Sequence, residues 1–311
     1  MLVASIDIGT NTVRCLIGTC EEGILEPIII RREIVRLGSG LRSTGKVKPP
    51  VLARLEDVLE SFGGSVRESG CRNVLAVGTS ALRDMAMDGD EPVERLARRL
   101  GFPIRLISGE EEAALTSAGV RAGIGDLDEG LVVDIGGGST ELVCLSGGSI
   151  SWWQSLPEGV VHLTEQFLLS DPPTGEQALA VRGRLRSLLD DLPEGGGEVV
   201  AGTAGTPTTL AALDLGIDDY DPTLVNGHVL SRETVEMLAG KLLAMSARQR
   251  LELAGMEKGR EDLIAAGVIM VEEVMDRWGF HEMIVSDWGL LEGVALKAAE
   301  SCLEGGRRKE E

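Results

Sequence analysis

The chain reads as an α/β protein of two related domains that face one another across a phosphate-handling cleft. Three observations predict this. The phrase DIGTNT at residues 7–12 returns as DIGGGST at residues 134–140, each time on the end of an apolar run. Strand-like and helix-like segments alternate along the chain, the pattern of α/β proteins. The 311 residues, 43% of them hydrophobic, suffice for a sizeable core and favour two domains over one.

Residues 2–6 (LVASI) and 131–133 (LVV) read as buried strands, and after each turn a second apolar run follows, VRCLIG and ELVCL. Both copies therefore sit on β-hairpins. A P-loop or a dinucleotide-binding glycine loop would run from strand directly into helix, and neither GxxxxGK nor GxGxxG occurs at either place. What remains is a turn of Gly, Ser and Thr whose backbone N–H groups point at an anion. An acidic residue at its entrance would hold a metal ion directly or through water. A single copy would read as an ordinary Gly-rich hairpin turn; two copies, each opening with Asp and closing with Thr, favour function.

Four further segments read as strand, turn and helix start: residues 74–84, 104–120, 198–213 and 282–300. Each puts small or polar residues where a strand's carboxyl end meets a helix N-terminus, the place where open α/β sheets bind ligands. The Gly-rich acidic run 123–130 marks the boundary. It divides the chain into domains 1–125 and 126–311, with a final helix at about residues 290–303 that packs back on the first. Residues 170–175 and 192–198 read as loops, and the tail 305–311 as disordered.

The net charge of −20 lies almost wholly in the second half, and such a field repels nucleic acid. A polyanionic ligand would have to be received by metal, backbone amides and local arginines such as Arg31, Arg32, Arg36 and Arg83. For the first three an ordinary solvated surface role stands at least level. No run of about eighteen apolar residues and no basic-headed signal peptide is present, so the expectation is a soluble, cytoplasmic protein without membrane contact. Five scattered cysteines (Cys15, Cys20, Cys71, Cys144, Cys302) lack ligand or disulfide spacing and read as reduced, mainly buried small hydrophobes. His162, His228 and His281 are isolated and take structural or surface roles.

The motifs DIGTNTVR, GTSALRD, ISGEEEA, DIGGGSTEL, AGTAGTPTTLAAL and SDWGLLEG, in this order, closely resemble the exopolyphosphatase and guanosine pentaphosphate phosphatase family. The resemblance runs from about residue 2 to 303. It implies two ribonuclease H-like (actin-like ATPase) domains with a cleft between them, a tendency towards homodimers, and hydrolysis of a terminal phosphoanhydride. Longer members append a helical domain with a His/Asp metal motif, for which this chain leaves no room. At Leu291 the family usually has Arg, which puts any contact of that Arg in doubt here.

Hydrolysis of a phosphoanhydride needs an in-line water, a group to orient or deprotonate it, and positive charge around the transferred phosphoryl group. The resemblance assigns the base to Glu112, in the first turn of a helix with Glu110 and Glu111. Those two are accounted for by the preference of carboxylates for helix N-termini. For Mg²⁺, which takes a few carboxylates plus waters and phosphates, Asp134 and Glu141 are the leading candidates and Asp7 the third. The alternatives are turn formation for the aspartates and an exposed strand position for Glu141. By the resemblance, phosphate oxygens go to Thr10, Asn11 and Thr12, to Gly136, Gly137, Gly138, Ser139 and Thr140, and to Gly205 and Thr206. Thr206 capping a helix with Pro207 at its first position is compatible with that role. Arg83 resembles the cation reaching the same phosphates, against a surface salt bridge to Asp84 or a neighbour.

The expected function is Mg²⁺-dependent release of terminal phosphate from inorganic polyphosphate, with a preference for shorter chains. Hydrolysis of guanosine pentaphosphate (pppGpp) is the rival. An actin-like small-molecule kinase would use the same hairpins but leaves Glu112 unexplained. A non-catalytic polyphosphate or alarmone sensor leaves Glu112, Asp134 and Glu141 without a task.

Overall fold

A computed structural model describes residues 1–307 except 88, 90 and 126. Two compact units emerge, residues 1–122 with 289–311 and residues 123–288. The first opens with β1 (Leu2–Ile8), β2 (Thr12–Glu21) and β3 (Ile24–Ile34), an antiparallel meander. The one-turn α1 (Leu41–Thr44) leads to α2 (Pro49–Glu68), β4 (Asn73–Gly78), α3 (Ser80–Ala86) and α4 (Glu91–Leu100). Then come β5 (Ile104–Leu106) and α5 (Gly109–Ile124). The sheet order is β3-β2-β1-β4-β5, with β4 parallel to both β1 and β5.

The second unit repeats the plan. An antiparallel meander of β6 (Gly130–Ile135), β7 (Thr140–Ser146) and β8 (Ser149–Leu156) is followed by α6 (Val160–Phe167) and α7 (Gly175–Leu189). Next come β9 (Val200–Thr203), α8 (Gly205–Leu215), α9 (Pro222–Val225), β10 (Val229–Ser231), α10 (Arg232–Ala244) and α11 (Ala247–Leu251). The unit closes with α12 (Ile264–Trp278) and β11 (Glu282–Val285). Read from β8, the order is β8-β7-β6-β9-β11-β10, the first unit's order with one strand added. The last helix, α13 (Leu290–Arg307), belongs to the first unit.

The central strands β1 and β6 are buried along nearly their whole length, as strands flanked on both edges and covered on both faces must be. Proline opens α2, where a missing N–H is harmless, and Leu55, Leu59, Phe62 and Val66 then recur at helical spacing to cover β1 and β2. In the second unit α12 is buried from Ile264 to Met275 and is the spine of the core. Its buried Glu272 and Glu273 are held by Arg182 at 2.6 and 3.1 Å, as buried carboxylates require. Burial pushes the Glu272 carboxyl upward against the pull of Arg182.

The sequence reading carries the second domain to the chain's end and lets the last helix return to the first. In the structure Leu290 and Val294 of that helix pack with Val77 and Ile107, and Ser5 Oγ donates to the Leu291 carbonyl at 2.8 Å. A Cβ on Gly293 would stand 1.9 Å from the Leu115 carbonyl, so α13 and α5 approach backbone to backbone. The helix continues through residues 305–307, which the sequence reading assigns to a disordered tail; residues 308–311 lie outside the described residues. Cys15, Cys20, Cys71 and Cys144 are buried and free, and burial pushes the Cys15 thiol up to about 12. The side chain of Cys302 lies outside the described residues. Among the described residues no helix is long and apolar enough to cross a membrane.

Candidate active site

The duplicated phrase folds into two turns of one design. In the first, Ile8 pairs with Val13, and the Gly9 N–H donates to the Thr12 carbonyl at 3.0 Å. In the second, Ile135 pairs with Thr140, and the Gly136 N–H donates to the Ser139 carbonyl at 3.1 Å. Both glycines sit tightly in their turns: a Cβ would stand 3.0 Å from the Thr12 oxygen in the first and 2.9 Å from the Ser139 oxygen in the second, where the backbone would have to shift.

Register then dictates which charges meet, because directly opposed residues of an antiparallel pair share a face of the sheet. Asp7 lies opposite Arg14, which lies opposite Arg32 on β3. Arg14 donates from Nε at 3.0 Å and Nη2 at 2.8 Å to Asp7 Oδ2. Asp7 Oδ1 is buried without a hydrogen-bond partner, and so are both amide atoms of Asn11. In the second copy the corresponding pair is Asp134 opposite Glu141, which lies opposite Ser155. Both carboxylates are buried, and Ser155 Oγ donates to Glu141 Oε1 at 2.7 Å. Thus Glu141 is not the exposed strand residue that a surface role would require.

The remaining candidates of the first unit gather at the carboxyl ends of β4 and β5. The Thr79 N–H donates to the Ile8 carbonyl at 3.3 Å and the Ile107 N–H to the Gly78 carbonyl at 3.2 Å, so both strand ends are tied beside the first turn. Arg83 on α3 donates from Nη1 to Glu112 Oε2 and to the Ile107 carbonyl, each at 2.8 Å. This replaces the surface bridge to Asp84 as the competing view of Arg83. The three successive glutamates of α5 diverge as helix geometry demands. Glu112 is buried, Glu111 pairs with Arg105 at 2.5 Å, and Glu110 faces solvent.

In the second unit α8 starts directly after β9. Its N-cap is Ala204, at φ 67° and ψ −163°, a region otherwise almost confined to glycine. The helix therefore begins two residues before Pro207, and Thr206 is not its cap. Thr206 instead packs buried against Gly267, while the hydroxyls of Thr208 and Thr209 return to the carbonyls of Ala204 and Gly205. The guanidinium of Arg260 lies over Gly205, where a Cβ would require it to swing away.

Two candidates change in detail. Thr140, the counterpart of Val13, points into the core, and its hydroxyl donates to the Glu158 carbonyl at 2.8 Å, so it offers no side-chain donor to an anion. Arg31 is spent on the first unit's own surface, over the Phe62 ring at 4.8 Å and bonded to Ser65. Arg14 and Arg260 are the charged groups the sequence reading missed. Counting hairpin partners outward from the turn would have set Arg14 opposite Asp7; nothing local marks Arg260.

No group of three or more His, Cys, Asp or Glu gathers among the described residues as a protein-only metal cage. Mg²⁺ does not ask for one: it takes oxygen ligands and keeps waters. The buried Asp134 and Glu141 side by side, and the buried unpartnered Oδ1 of Asp7, are donor sets of that kind.

Fold and turns together define an α/β protein of two like-built units, each with a hairpin turn that opens on a buried aspartate. Within that class the chain belongs to the Ppx/GppA phosphatase family, whose pattern matches residues 16–302. It is 34% identical to exopolyphosphatase 2 of Mycobacterium tuberculosis over 320 aligned positions, covering 96% of this chain and 98% of that protein. The crystal structure of the Aquifex aeolicus family member matches with a TM-score of 0.84 at 33% identity, covering 97% and 98% of the two chains. An exopolyphosphatase from Cytophaga hutchinsonii matches with 0.85 at 26% identity, over 98% of each. The expected ribonuclease H-like, actin-like fold class is thereby borne out.

Proposed function

We propose that this chain is an exopolyphosphatase that hydrolyses the terminal phosphoanhydride of inorganic polyphosphate. The observation that carries the chemistry is the Arg83–Glu112 pair. One carboxylate of three is buried at a strand end, oriented by a guanidinium at 2.8 Å that is itself anchored to the Ile107 carbonyl.

Glu112 takes the part of the general base. A water oxygen attacks the terminal phosphorus, the bond to the bridging oxygen breaks, and the water's proton passes to the carboxylate. Orthophosphate leaves, and the chain is one unit shorter. Arg83 aligns Glu112 and adds positive charge near the transferred group. The turn N–H groups at Asn11 and Thr12, and at Gly137, Gly138 and Ser139, receive phosphate oxygens, as does the start of α8 at Gly205 and Thr206. Asp134 and Glu141 are the residues that would hold Mg²⁺, which when bound neutralises phosphate charge; Asp7, on the first unit's turn, is the third candidate. The cation is favoured at the second turn because two buried carboxylates stand opposite one another there, whereas at Asp7 the opposing residue is Arg14.

Guanosine pentaphosphate presents the same terminal anhydride and is the substrate to compare. A cytoplasmic homodimer goes with the reading; light scattering on the purified chain measures the assembly. The deciding assay is phosphate release from both substrates, with Mg²⁺ or EDTA, for the wild type and Glu112→Ala. Release that needs Mg²⁺ and falls about 10²-fold or more in the variant is expected, the scale of a lost general base. Wild-type release that ignores Glu112 would overturn the assignment.

A further inference from the structure

The second turn is held from behind by the start of α6, in a way that fixes which of its backbone groups face outward. The Val160 N–H donates to the Gly136 carbonyl at 3.0 Å and the Val161 N–H to the Gly137 carbonyl at 2.9 Å. These are the donors that a helix N-terminus ordinarily offers to an anion. Here they are spent on the turn. In a trans peptide the carbonyl and the following N–H point in opposite directions. Binding both carbonyls to α6 therefore aims the N–H groups of Gly137 and Gly138 away from it, and the second turn can present donors to an anion.

The fit is close and anchored. A Cβ on Gly159 would stand 2.4 Å from both the carbonyl carbon and the oxygen of Gly137, and 2.6 Å from the Gly136 oxygen. Glu158, just before it, is 1% exposed, and its carbonyl accepts the Thr140 hydroxyl at 2.8 Å. Its carboxylate is gripped by Arg184 of α7, from Nε at 3.0 Å and Nη2 at 2.8 Å, both to Oε1.

We propose that Glu158, Gly159 and Arg184 are positioning residues for phosphate binding: the Arg184–Glu158 strut seats the α6 N-terminus on the turn, which turns the Gly137 and Gly138 N–H groups toward the substrate. The proposal rests on the exopolyphosphatase reading for its substrate, and on geometry for the rest. None of the three need touch substrate.

The test compares Arg184→Ala, Arg184→Lys and Gly159→Ala with the full-length wild type. It measures melting temperature, kcat and KM for phosphate release from polyphosphate, and calorimetric binding of tripolyphosphate in EDTA. Arg184→Ala is expected to lower kcat/KM about tenfold and Gly159→Ala about 10²-fold, the scale of a displacement near 1 Å in a reacting site. Both should weaken tripolyphosphate binding, and Arg184→Lys should recover most of the loss. Folded Arg184→Ala protein with wild-type kcat, KM and binding overturns the proposal, as does activity that only tracks the folded fraction. If the wild type binds tripolyphosphate but releases no phosphate from polyphosphate, the activity reading falls. Weaker binding in Gly159→Ala would then still uphold the positioning role.

Discussion

The two hairpin turns share backbone, register and entrance aspartate, and differ at the residue opposite that aspartate: Arg14 in the first unit, Glu141 in the second. One difference in a duplicated frame puts a carboxylate where the first copy has a guanidinium. In the first copy Asp7 is neutralised internally by two hydrogen bonds from Arg14. In the second, two buried carboxylates stand opposite one another, and Ser155 donates to Glu141. Duplication supplied one cradle twice, and a single register position gave the copies different partners. The supports behind the turns differ as well. The Thr10 carbonyl is taken by the Gly38 N–H at 2.8 Å, and the Asn11 carbonyl by Val35 and Arg36 at 2.9 and 2.8 Å, all from the segment after β3. The second turn leans on a helix start instead.

The most severe way to break this contrast is Glu141→Arg, which gives the second turn the charge of the first. Phosphate release across a Mg²⁺ titration should fall by about 10³-fold, the scale of several kcal/mol of lost metal-borne charge stabilisation. Activity that survives would move the cation elsewhere. Removing the first turn's neutraliser is the complementary test. Arg14→Ala leaves Asp7 buried without its partner and should cost about 2 kcal/mol in urea denaturation, the worth of hydrogen bonds to a charged group. Unchanged stability would mean that Asp7 is held by something other than Arg14.

Asn11 separates stability from function. Its amide is buried with both polar atoms unpartnered, so Asn11→Ala should leave the melting temperature unchanged or raise it while kcat/KM drops about tenfold, the usual sign of a group kept for a ligand. Equal losses in both would make it an ordinary structural residue. The smallest effect concerns the next residue along each second strand, Cys15 in the first copy and Leu142 in the second. With its thiol pushed up to about 12 by desolvation, Cys15 stays protonated in the fold at neutral and mildly alkaline pH. Its contribution to stability is fully present below the thiol's ordinary value near 8.5. It is lost progressively from there toward 12, because only the unfolded chain releases the proton. Alkylation of Cys15 should therefore stay slow in the folded protein from pH 7 to 9 and become fast on unfolding.

Much of this arrangement was legible in the chain itself. The repeated phrase exposed the duplicated hairpins, and the strand-to-helix junctions at Gly78, Ile107 and Thr203 put Arg83, Glu112 and Gly205 at strand ends. Local patterns write such features directly, since strand alternation and turn residues act over a few positions. Glu112 could be chosen from its neighbours only by resemblance, because first-turn acids are common; its burial and its bond to Arg83 give a physical reason for the choice. Thr140 went the other way: the motif marks a hydroxyl, and the fold spends it on the Glu158 carbonyl.

By itself, then, the sequence determined the α/β class, the duplication, the strand ends that carry the candidate residues, and the acidic balance of the second half. Each is a matter of composition or short-range periodicity. Only the tertiary structure decided the clamping of Glu112 by Arg83, the lining of Gly205 by Arg260, and the seating of the second turn on α6. These contacts join residues that local propensity does not relate. Close packing and the need to satisfy buried polar groups select them once the chain has closed on itself.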